Sequence, residues 1–277
     1  MKLYRVNEGI RIEDEGRNYA MPVTDWDSFI NDDDLFAKLK SAIDSGEAKA
    51  SAAVAENEML SPLNQQELWA CGVTYLRSKQ GRQEESKSSG GADFYGKVYE
   101  AERPEVFFKS TAHRVVGHKG MVSIRKDSTW DVPEPELTLV VSSSGKIIGY
   151  TIGNDMSSRS IEGENPLYLP QAKTYDGCAA IGPCIFIDEK PIDNNAMIRL
   201  VIKRQQQVAF EGSVSISQMK RGHQELVSFV YRECSFPSGC FIMTGTGIVP
   251  GSDFTLKSGD EISITIDHIG TLVNTVR

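Results

Sequence analysis

The sequence predicts a mainly β protein of the α+β class with a small N-terminal α/β domain. From Leu68 onward, nine segments rich in β-branched and aromatic residues follow one another, separated by Gly, Pro, Ser and Asp. Before residue 60, apolar residues instead recur at near-helical spacing in "DWDSFINDDDLFAKLKSAIDSG". A chain of 277 residues is long enough for one large and one small domain. We therefore expect a small domain over residues 1–63 and a catalytic domain over residues 64–277.

The first sixty residues predict a few short elements. "MKLYRVNEGIRIED" is typical of a strand and a turn, and the helical segment after it ends at Gly46, a residue common after a helix C-terminus. Asp32, Asp33 and Asp34 precede the second half of this segment. Negative charge is favourable at a helix N-terminus, so we interpret these acids as capping residues rather than metal ligands.

One long polar stretch interrupts the β-rich part of the chain. It covers residues 77–103, "RSKQGRQEESKSSGGADFYGKVYEAER", with Ser-Ser-Gly-Gly at its centre. A polar segment of this length inside a compact domain is more often functional or disordered than structural. We expect a flap, helical on both sides of a hinge at Ser88–Gly91, that orders over a bound substrate.

The segment "DVPEPELTLVVSSSGKIIGYTIGND" predicts a β-hairpin with acidic residues at the end opposite its turn. Glu134 and Glu136 are two residues apart and therefore project from the same face of a strand. With the turn around Gly145, antiparallel pairing places Glu134 opposite Asp155 and Glu136 opposite Gly153. The missing side chain of Gly153 should leave room beside the acids.

Three carboxylates that converge in this way would repel one another and raise one another's pKa values. A divalent cation would remove this repulsion. Hard oxygen ligands without Cys or His favour Mg²⁺, Mn²⁺ or Ca²⁺ over Zn²⁺. The alternative is a solvated strand end whose acids pair with Lys or Arg, and the spacing alone does not decide between the two.

Composition excludes several classes of protein. A net charge of −8 disfavours a nucleic-acid or anionic-membrane surface, and no apolar run approaches the roughly 18 residues needed to span a bilayer. The five cysteines include no CxxC pair, which indicates reduced thiols and a cytoplasmic protein. The four histidines have no HxxxH spacing, which argues against a zinc site.

Five motifs, in order, resemble the fumarylacetoacetate hydrolase family: "EPEL", "GYTIGNDMSSR", "PQAKTYDGCAAIGP", "GCFIMTGTG" and "GDEISITIDHIGTLVNTV". Together they cover roughly Leu68 to Arg277. The resemblance implies a mixed β-sandwich or roll, a homodimer or homotetramer, and a Mg²⁺-type ion on the three hairpin acids. It also implies that Lys173 and Thr246 contact the substrate, a small 2-keto acid.

The chain departs from the family's hydrolases at residues that matter for their reaction. "GVTYLRSKQG" places Ser78 and Gly81 where those hydrolases carry the His and Glu that activate water, and Glu162 stands where they carry Gln. These departures resemble the family's sugar-acid dehydratase branch. The resemblance implies metal-dependent dehydration of a 2-keto-3-deoxy sugar acid through a metal-stabilised enolate. The expected substrate is 2-keto-3-deoxy-D-arabinonate, and the expected product is 2-oxoglutarate semialdehyde.

Dehydration requires a base near C3 of the substrate and an acid near its C4 hydroxyl. We assign one of these roles to Glu162, with Glu164 as the alternative. Lys173 is either the partner acid or base, or a cation for the substrate carboxylate. Close to a metal ion the pKa of Lys173 should fall. A Schiff base on Lys173 is the rival mechanism, but it would leave the metal site without a purpose.

Three further residues are candidates for the site. Ser78 is a candidate to hydrogen-bond a sugar hydroxyl, or else it fills the space of the lost histidine. Lys109 is either a substrate-facing cation or a strand-end charge. Arg159, four residues after Asp155, is expected to orient the metal ligands.

Two other functions remain open from the sequence. An acylpyruvate hydrolase or a 2-oxo acid decarboxylase of the same family would need the same metal site with different proton carriers. A non-enzymatic sugar-acid binding protein is the third possibility, and a protein that binds metal and ligand without turnover would support it.

Overall fold

The computed structural model describes residues 1–85 and 92–277. The strands of this part of the chain are β1 Lys2–Val6, β2 Gly9–Asp14, β3 Arg17–Met21, β4 Lys49–Ala50, β5 Glu67–Gly72, β6 Glu105–Ser110, β7 Val115–Val116, β8 Met121–Val122, β9 Asp131–Val132, β10 Pro135–Val141, β11 Ile147–Asp155, β12 Ser157–Ser158, β13 Ala179–Phe186, β14 Met197–Arg204, β15 Gln207–Ser215, β16 Cys240–Met243, β17 Glu261–Ile266 and β18 Gly270–Val276. The helices are α1 Trp26–Ile30, α2 Leu35–Asp44, α3 Leu76–Glu85, α4 Ala92–Glu100, α5 Arg159–Glu164, α6 Leu169–Lys173 and α7 His223–Val230. The predicted mainly β class is confirmed.

The N-terminal strands extend the large sheet of the protein. Its strand order is β4-β3-β2-β1-β13-β11-β10-β16-β5-β6, with β7 also paired to β13. The junction lies between β1 and β13, where Lys2 pairs with Phe186. The expected domain boundary between residues 63 and 64 stays a prediction.

A second sheet, in the order β15-β14-β17-β18-β8, packs on the large one. Leu139 and Ile152 of the large sheet share an apolar cluster with Ile264 of the second sheet. On the opposite face of the large sheet, Val140 belongs to a cluster that includes Leu39 of α2. Alternate residues of a strand face opposite sides, so Leu139 and Val140 show that both faces of the hairpin strands are buried. The predicted mixed β-sandwich is confirmed.

The acidic hairpin has the predicted register. Glu136 pairs with Gly153, and Glu134 and Asp155 exchange two backbone hydrogen bonds of 3.2 and 2.9 Å. A bulge between Val140 and Val141 shifts the pairing by one residue next to the turn. The bulge lies far from the acids and leaves their pairing unchanged.

The predicted N-terminal helix is two helices, because the chain bends between Ile30 and Leu35. Asp32 accepts a hydrogen bond from the backbone of Asp34, which is close to the capping role expected for these acids. Asp33 has a different role, since it accepts hydrogen bonds from the hydroxyls of two serines in the hairpin turn, Ser142 and Ser144. The N-terminal segment thus holds the turn end of the acidic hairpin.

Helices α3 and α4 flank the predicted hinge of the polar stretch, as expected. The hinge itself, Ser88–Gly91, lies outside the described residues, and closure of the flap over a substrate stays a prediction. None of the helices in the described part of the chain has the length and the apolar composition needed to cross a bilayer.

A two-stranded sheet of β9 and β12 supports the acidic end of the hairpin, with Asp131 paired to Ser158. Asp131 is buried, and its Oδ1 atom makes no hydrogen bond to any described residue. Burial raises the pKa of this carboxyl to about 6, although the Ser128 hydroxyl partly opposes the shift. The folded protein therefore binds a proton here at a pH where the unfolded chain has lost it.

This shift predicts a pH-dependent effect of Asp131→Asn. The stabilising contribution of the raised pKa is complete below about pH 4 and is lost as the pH rises through about 6. Asp131→Asn should therefore raise the free energy of unfolding at pH 7.5 by about 1–2 kcal/mol and leave it nearly unchanged at pH 4, as measured by urea unfolding. Asp176→Asn, at an exposed aspartate, is the control. An equal gain at both pH values would contradict the prediction.

Candidate active site

The three acids of the hairpin converge, as predicted. One oxygen from each of Glu134, Glu136 and Asp155 lies within 4.8 Å of the others, and the residues are 4%, 2% and 1% exposed. The missing side chain of Gly153, opposite Glu136, was expected to leave room beside the acids, but the space is filled differently. A Cβ atom on Gly153 would overlap Thr138 Oγ1, so this glycine makes room for core packing rather than for the acids.

Buried cations surround two of these acids. Glu134 Oε1 lies 2.7 Å from Arg159 Nη2, and its Oε2 lies 2.5 Å from Lys173 Nζ. Asp155 Oδ2 lies 3.0 Å from Lys173 Nζ, and its Oδ1 lies 2.6 Å from Lys109 Nζ. The strand end is therefore not solvated, and its charges are compensated by ion pairs within the protein.

Glu136 differs from the other two acids in its partners. Its Oε2 accepts a hydrogen bond of 2.6 Å from the backbone N–H of Gly245, in the loop after β16. Burial raises the pKa of Glu136 well above its ordinary value, and the negative charges of Asp155 and Glu134 add to the shift. Burial also raises the pKa of Glu134, although Lys173 opposes this.

The donors at this site fit a hard divalent cation. Three carboxylates and no Cys or His approach one another, and burial raises the pKa values of Glu134 and Glu136. A divalent cation bound here would oppose this rise. Glu134, Glu136 and Asp155 are the residues that would hold it.

Lys109 and Lys173 are both completely buried. Lys109 lies behind Asp155 and also donates to the backbone carbonyls of Met156 and Lys173, so its whole ammonium is engaged by protein atoms. It is not among the residues that line the cavity, and its contact with substrate stays a prediction. Arg159 contacts Glu134 as expected for a residue that orients a metal ligand.

The fall in the pKa of Lys173 was expected beside a bound metal ion and stays a prediction; the protein groups alone act in the opposite direction. Burial alone would lower the pKa, but the negative charges of Asp155, Glu134 and Glu162 together raise it above its ordinary value. Lys173 Nζ also donates to the Ser157 hydroxyl. The ammonium of Lys173 is therefore the central counter-ion of the acids.

Glu162 lies behind the cavity wall rather than on it. Its Oε2 is 2.7 Å from Arg82 Nη1, and its Oε1 is 3.3 Å from Lys173 Nζ. Burial would raise its pKa, but Arg82, Lys173 and Arg159 outweigh burial and lower the pKa to about 2. Glu164 is exposed at the end of α5. The proton-transfer roles of Glu162 and Glu164 stay predictions.

The cavity beside the acids brings together residues from several elements. They are Cys71, Gly72, Val73, Ser78, Arg82, Phe107, Glu134, Glu136, Asp155, Arg159, Lys173, Gly245 and Thr246. Three predicted substrate-binding residues, Ser78, Thr246 and Lys173, are therefore on its wall. In this structure Ser78 Oγ donates to the Tyr75 carbonyl at 2.7 Å, and Thr246 Oγ1 donates to the Ile248 carbonyl at 3.2 Å.

Arg82 and Glu105 are two functional candidates that the sequence motifs did not indicate. Glu105 begins β6 and pairs with Gly72 of β5, where a Cβ atom would overlap Glu105 Oε2. Gly72 lines the cavity, and its missing side chain leaves room for the Glu105 carboxyl group. The segment "EVFFK" could have indicated Glu105, because Glu105, Phe107 and Lys109 are two residues apart along a strand and share the face of the candidate Lys109.

Glu105 has the environment of a proton-transfer group. It is half-buried, and its Oε2 atom makes no hydrogen bond to any described residue. Burial raises the pKa of Glu105, and the negative charges of Glu162 and Asp155 also raise it, while Arg82 and Lys173 oppose the shift. A carboxyl group with a raised pKa can exchange protons closer to neutral pH than an ordinary glutamate can.

Comparisons with known proteins agree with the site geometry. A family model described as "Fumarylacetoacetate (FAA) hydrolase C-terminal" matches residues 83–277. The chain is 49% identical over 216 residues to a Haloferax volcanii protein named "Probable 2-keto-3-deoxyxylonate dehydratase", covering 78% of this chain and 73% of the relative. It is 45% identical over 218 residues to "2-dehydro-3-deoxy-D-arabinonate dehydratase" of Saccharolobus solfataricus, with the same coverage.

A solved structure extends the likeness over the whole chain. It is described as "2-keto-3-deoxy-D-arabinonate dehydratase complexed with magnesium and 2,5-dioxopentanoate". Its TM-score is 0.83 and its sequence identity 35%, and the alignment covers 100% of this chain and 99% of that one. From the matching model, the two relatives and this structure, the chain belongs to the fumarylacetoacetate hydrolase family.

Proposed function

We propose that this enzyme is a Mg²⁺-dependent hydro-lyase that converts 2-keto-3-deoxy-D-arabinonate into 2,5-dioxopentanoate. The observation that carries the proposal is the buried triad of carboxylates beside a cavity lined by the cations Arg82, Arg159 and Lys173. The two dehydratase relatives support it. In the D series, 2-keto-3-deoxyxylonate and 2-keto-3-deoxyarabinonate are one compound, because C2 and C3 are no longer stereocentres and C4 has the same configuration.

Positive charge on the cavity wall would bind the carboxylate of a 2-keto acid. Arg82, Arg159 and Lys173 all line the cavity, and charge-assisted hydrogen bonds are among the strongest that proteins form. When bound to the acidic triad, Mg²⁺ would supply Lewis-acid stabilisation of negative charge on the keto oxygen. Acidity at C3 of the substrate would rise as a result.

The reaction then depends on proton transfer. A proton leaves C3, the C4 hydroxyl departs as water after gaining a proton, and a 3,4-alkene forms. Transfer of a proton from C5 to C3 gives a 4,5-enol, and transfer of the enol hydroxyl proton to C4 gives the 5-aldehyde, so the net change is the loss of one water. We assign proton transfer to Glu105, whose carboxyl lies against the cavity-lining Gly72 and has a raised pKa, with Lys173 as its partner.

We assign Glu162 a positioning role in place of the proton transfer expected from the sequence. Its carboxylate pairs with Arg82 at 2.7 Å and with Lys173 at 3.3 Å, so it fixes two cations of the cavity wall. A pKa lowered to about 2 keeps Glu162 ionised near neutral pH, which suits a counter-ion and not an acid.

The metal role predicts the effect of Glu136→Gln. This change keeps the shape of the side chain and removes one negative charge from the triad. We expect the variant to stay folded and to lose Mg²⁺-dependent turnover on the order of 10³-fold, because several kcal/mol of transition-state stabilisation depend on the cation. Glu67→Gln, on an exposed residue, is the control. Full activity of the wild-type enzyme in excess chelator would contradict the role of the metal.

The two glutamates can be separated by kinetics. Glu105→Gln should lower kcat by about 10²–10⁴-fold, the usual contribution of a general acid or base. Gly72→Ala should have a similar effect, because a Cβ atom there displaces the Glu105 carboxyl. Glu162→Gln should cost about 10–100-fold, mainly through KM, and Glu164→Gln should have no effect. A greater loss of kcat in Glu162→Gln than in Glu105→Gln would return the proton-transfer role to Glu162.

A substrate panel tests the proposed reaction itself. The enzyme with Mg²⁺ is incubated with 2-keto-3-deoxy-D-arabinonate, its C4 epimer, an acylpyruvate and oxaloacetate, and the products are identified by mass spectrometry. We expect loss of one water from the D compound and at least about tenfold slower turnover of the C4 epimer, whose hydroxyl points away from the acid. Faster hydrolysis of the acylpyruvate or faster decarboxylation of oxaloacetate would contradict the proposal.

A further inference from the structure

Lys173 bridges two of the acids through the oxygens that face each other. Its Nζ lies 2.5 Å from Glu134 Oε2 and 3.0 Å from Asp155 Oδ2. The remaining oxygens of these carboxylates already have other partners, Arg159 at 2.7 Å from Glu134 Oε1 and Lys109 at 2.6 Å from Asp155 Oδ1. Lys173 is therefore bound to the pair of oxygens that these other cations leave available.

We propose that Lys173 competes with the divalent cation for Glu134 and Asp155, and that cation binding moves its ammonium off both carboxylates. This inference rests on the metal role proposed above for the triad. Like charges repel strongly when they share ligands in a buried site, so the ammonium and a divalent cation cannot both remain in close contact with the same two oxygens.

The surroundings of Lys173 give the displaced ammonium a place to go. Lys173 lines the cavity, and its Nζ also lies 3.3 Å from Glu162 Oε1, outside the triad. A small rotation of the side chain would keep the contact with Glu162 and turn the ammonium towards a substrate carboxylate. Binding of the cation would in this way prepare the cavity for the 2-keto acid, and the two affinities would be coupled reciprocally.

Lys109 provides a matched control. Like Lys173, it is a completely buried lysine paired with Asp155, but it holds the outer oxygen, Oδ1. Replacement of either lysine by Met removes one positive charge next to the same carboxylate. Only Lys173→Met removes a competitor from the oxygens shared by Glu134 and Asp155.

Mn²⁺ binding, followed by the electron paramagnetic resonance of the free ion, tests the inference without any activity measurement. Lys173→Met should bind Mn²⁺ at least tenfold more tightly than wild type, and Lys109→Met should change the affinity much less. Equal tightening in both variants would mean that only a nearby charge has been lost, and would overturn the competition. Unchanged or weaker binding by Lys173→Met would also overturn it.

Two further measurements separate this inference from the metal site itself. If Glu136→Gln binds Mn²⁺ as tightly as wild type, the triad does not hold the metal. The same conclusion follows if neither wild type nor Lys173→Met binds Mn²⁺. In either case the proposed competition is overturned as well. A crystal structure of the wild-type protein with Mn²⁺ decides the matter even if Lys173→Met does not fold. Lys173 Nζ should lie beyond hydrogen-bond distance from Glu134 and Asp155, and an unmoved ammonium would overturn the inference.

Discussion

Compensation of buried charge at the acidic end of the β10–β11 hairpin is the constraint on which the rest of the site depends. Burial of an unpaired carboxylate is strongly unfavourable, so each acid requires a nearby cation. The described residues around the hairpin provide four acids and four cations, all less than one-tenth exposed: Glu134, Glu136, Asp155, Glu162, Lys109, Lys173, Arg82 and Arg159. The cations come from β6, α3, α5 and α6, so burial of the hairpin acids depends on the packing of these elements around them.

The fold separates the two ends of this hairpin by function. At the turn end, Asp33 from the N-terminal segment fixes two serine hydroxyls. In the middle, both strand faces lie in apolar clusters. At the other end, Glu134 and Asp155 exchange backbone hydrogen bonds, which fixes the separation of their carboxylates. A rigid backbone at this point is what a metal or a counter-ion needs, because ligand geometry then does not depend on mobile loops.

Small residues decide which side chains reach the site. Gly72 leaves room for the Glu105 carboxyl. A Cβ atom on Gly81 would lie 3.0 Å from Val249 Cγ1 and 3.5 Å from Arg159 Nη1, so a large side chain there would compete with Arg159 for space. The family resemblance places a water-activating glutamate of the hydrolases at this position. Its absence here leaves the space to an arginine that holds Glu134, and this agrees with elimination rather than attack by water.

The sequence by itself determined the fold class, the presence of nine of the strands, the register of the acidic hairpin and the convergence of its three acids, because strand alternation and turn position are local properties. It also placed Lys173 and Arg159 near the acids through family motifs. Only the tertiary structure showed that Glu162 pairs with Arg82 and Lys173 and that Glu105 lies against Gly72. These facts depend on which distant cations approach a carboxylate and on how deeply it is buried, and neither is encoded in the spacing of residues along the chain.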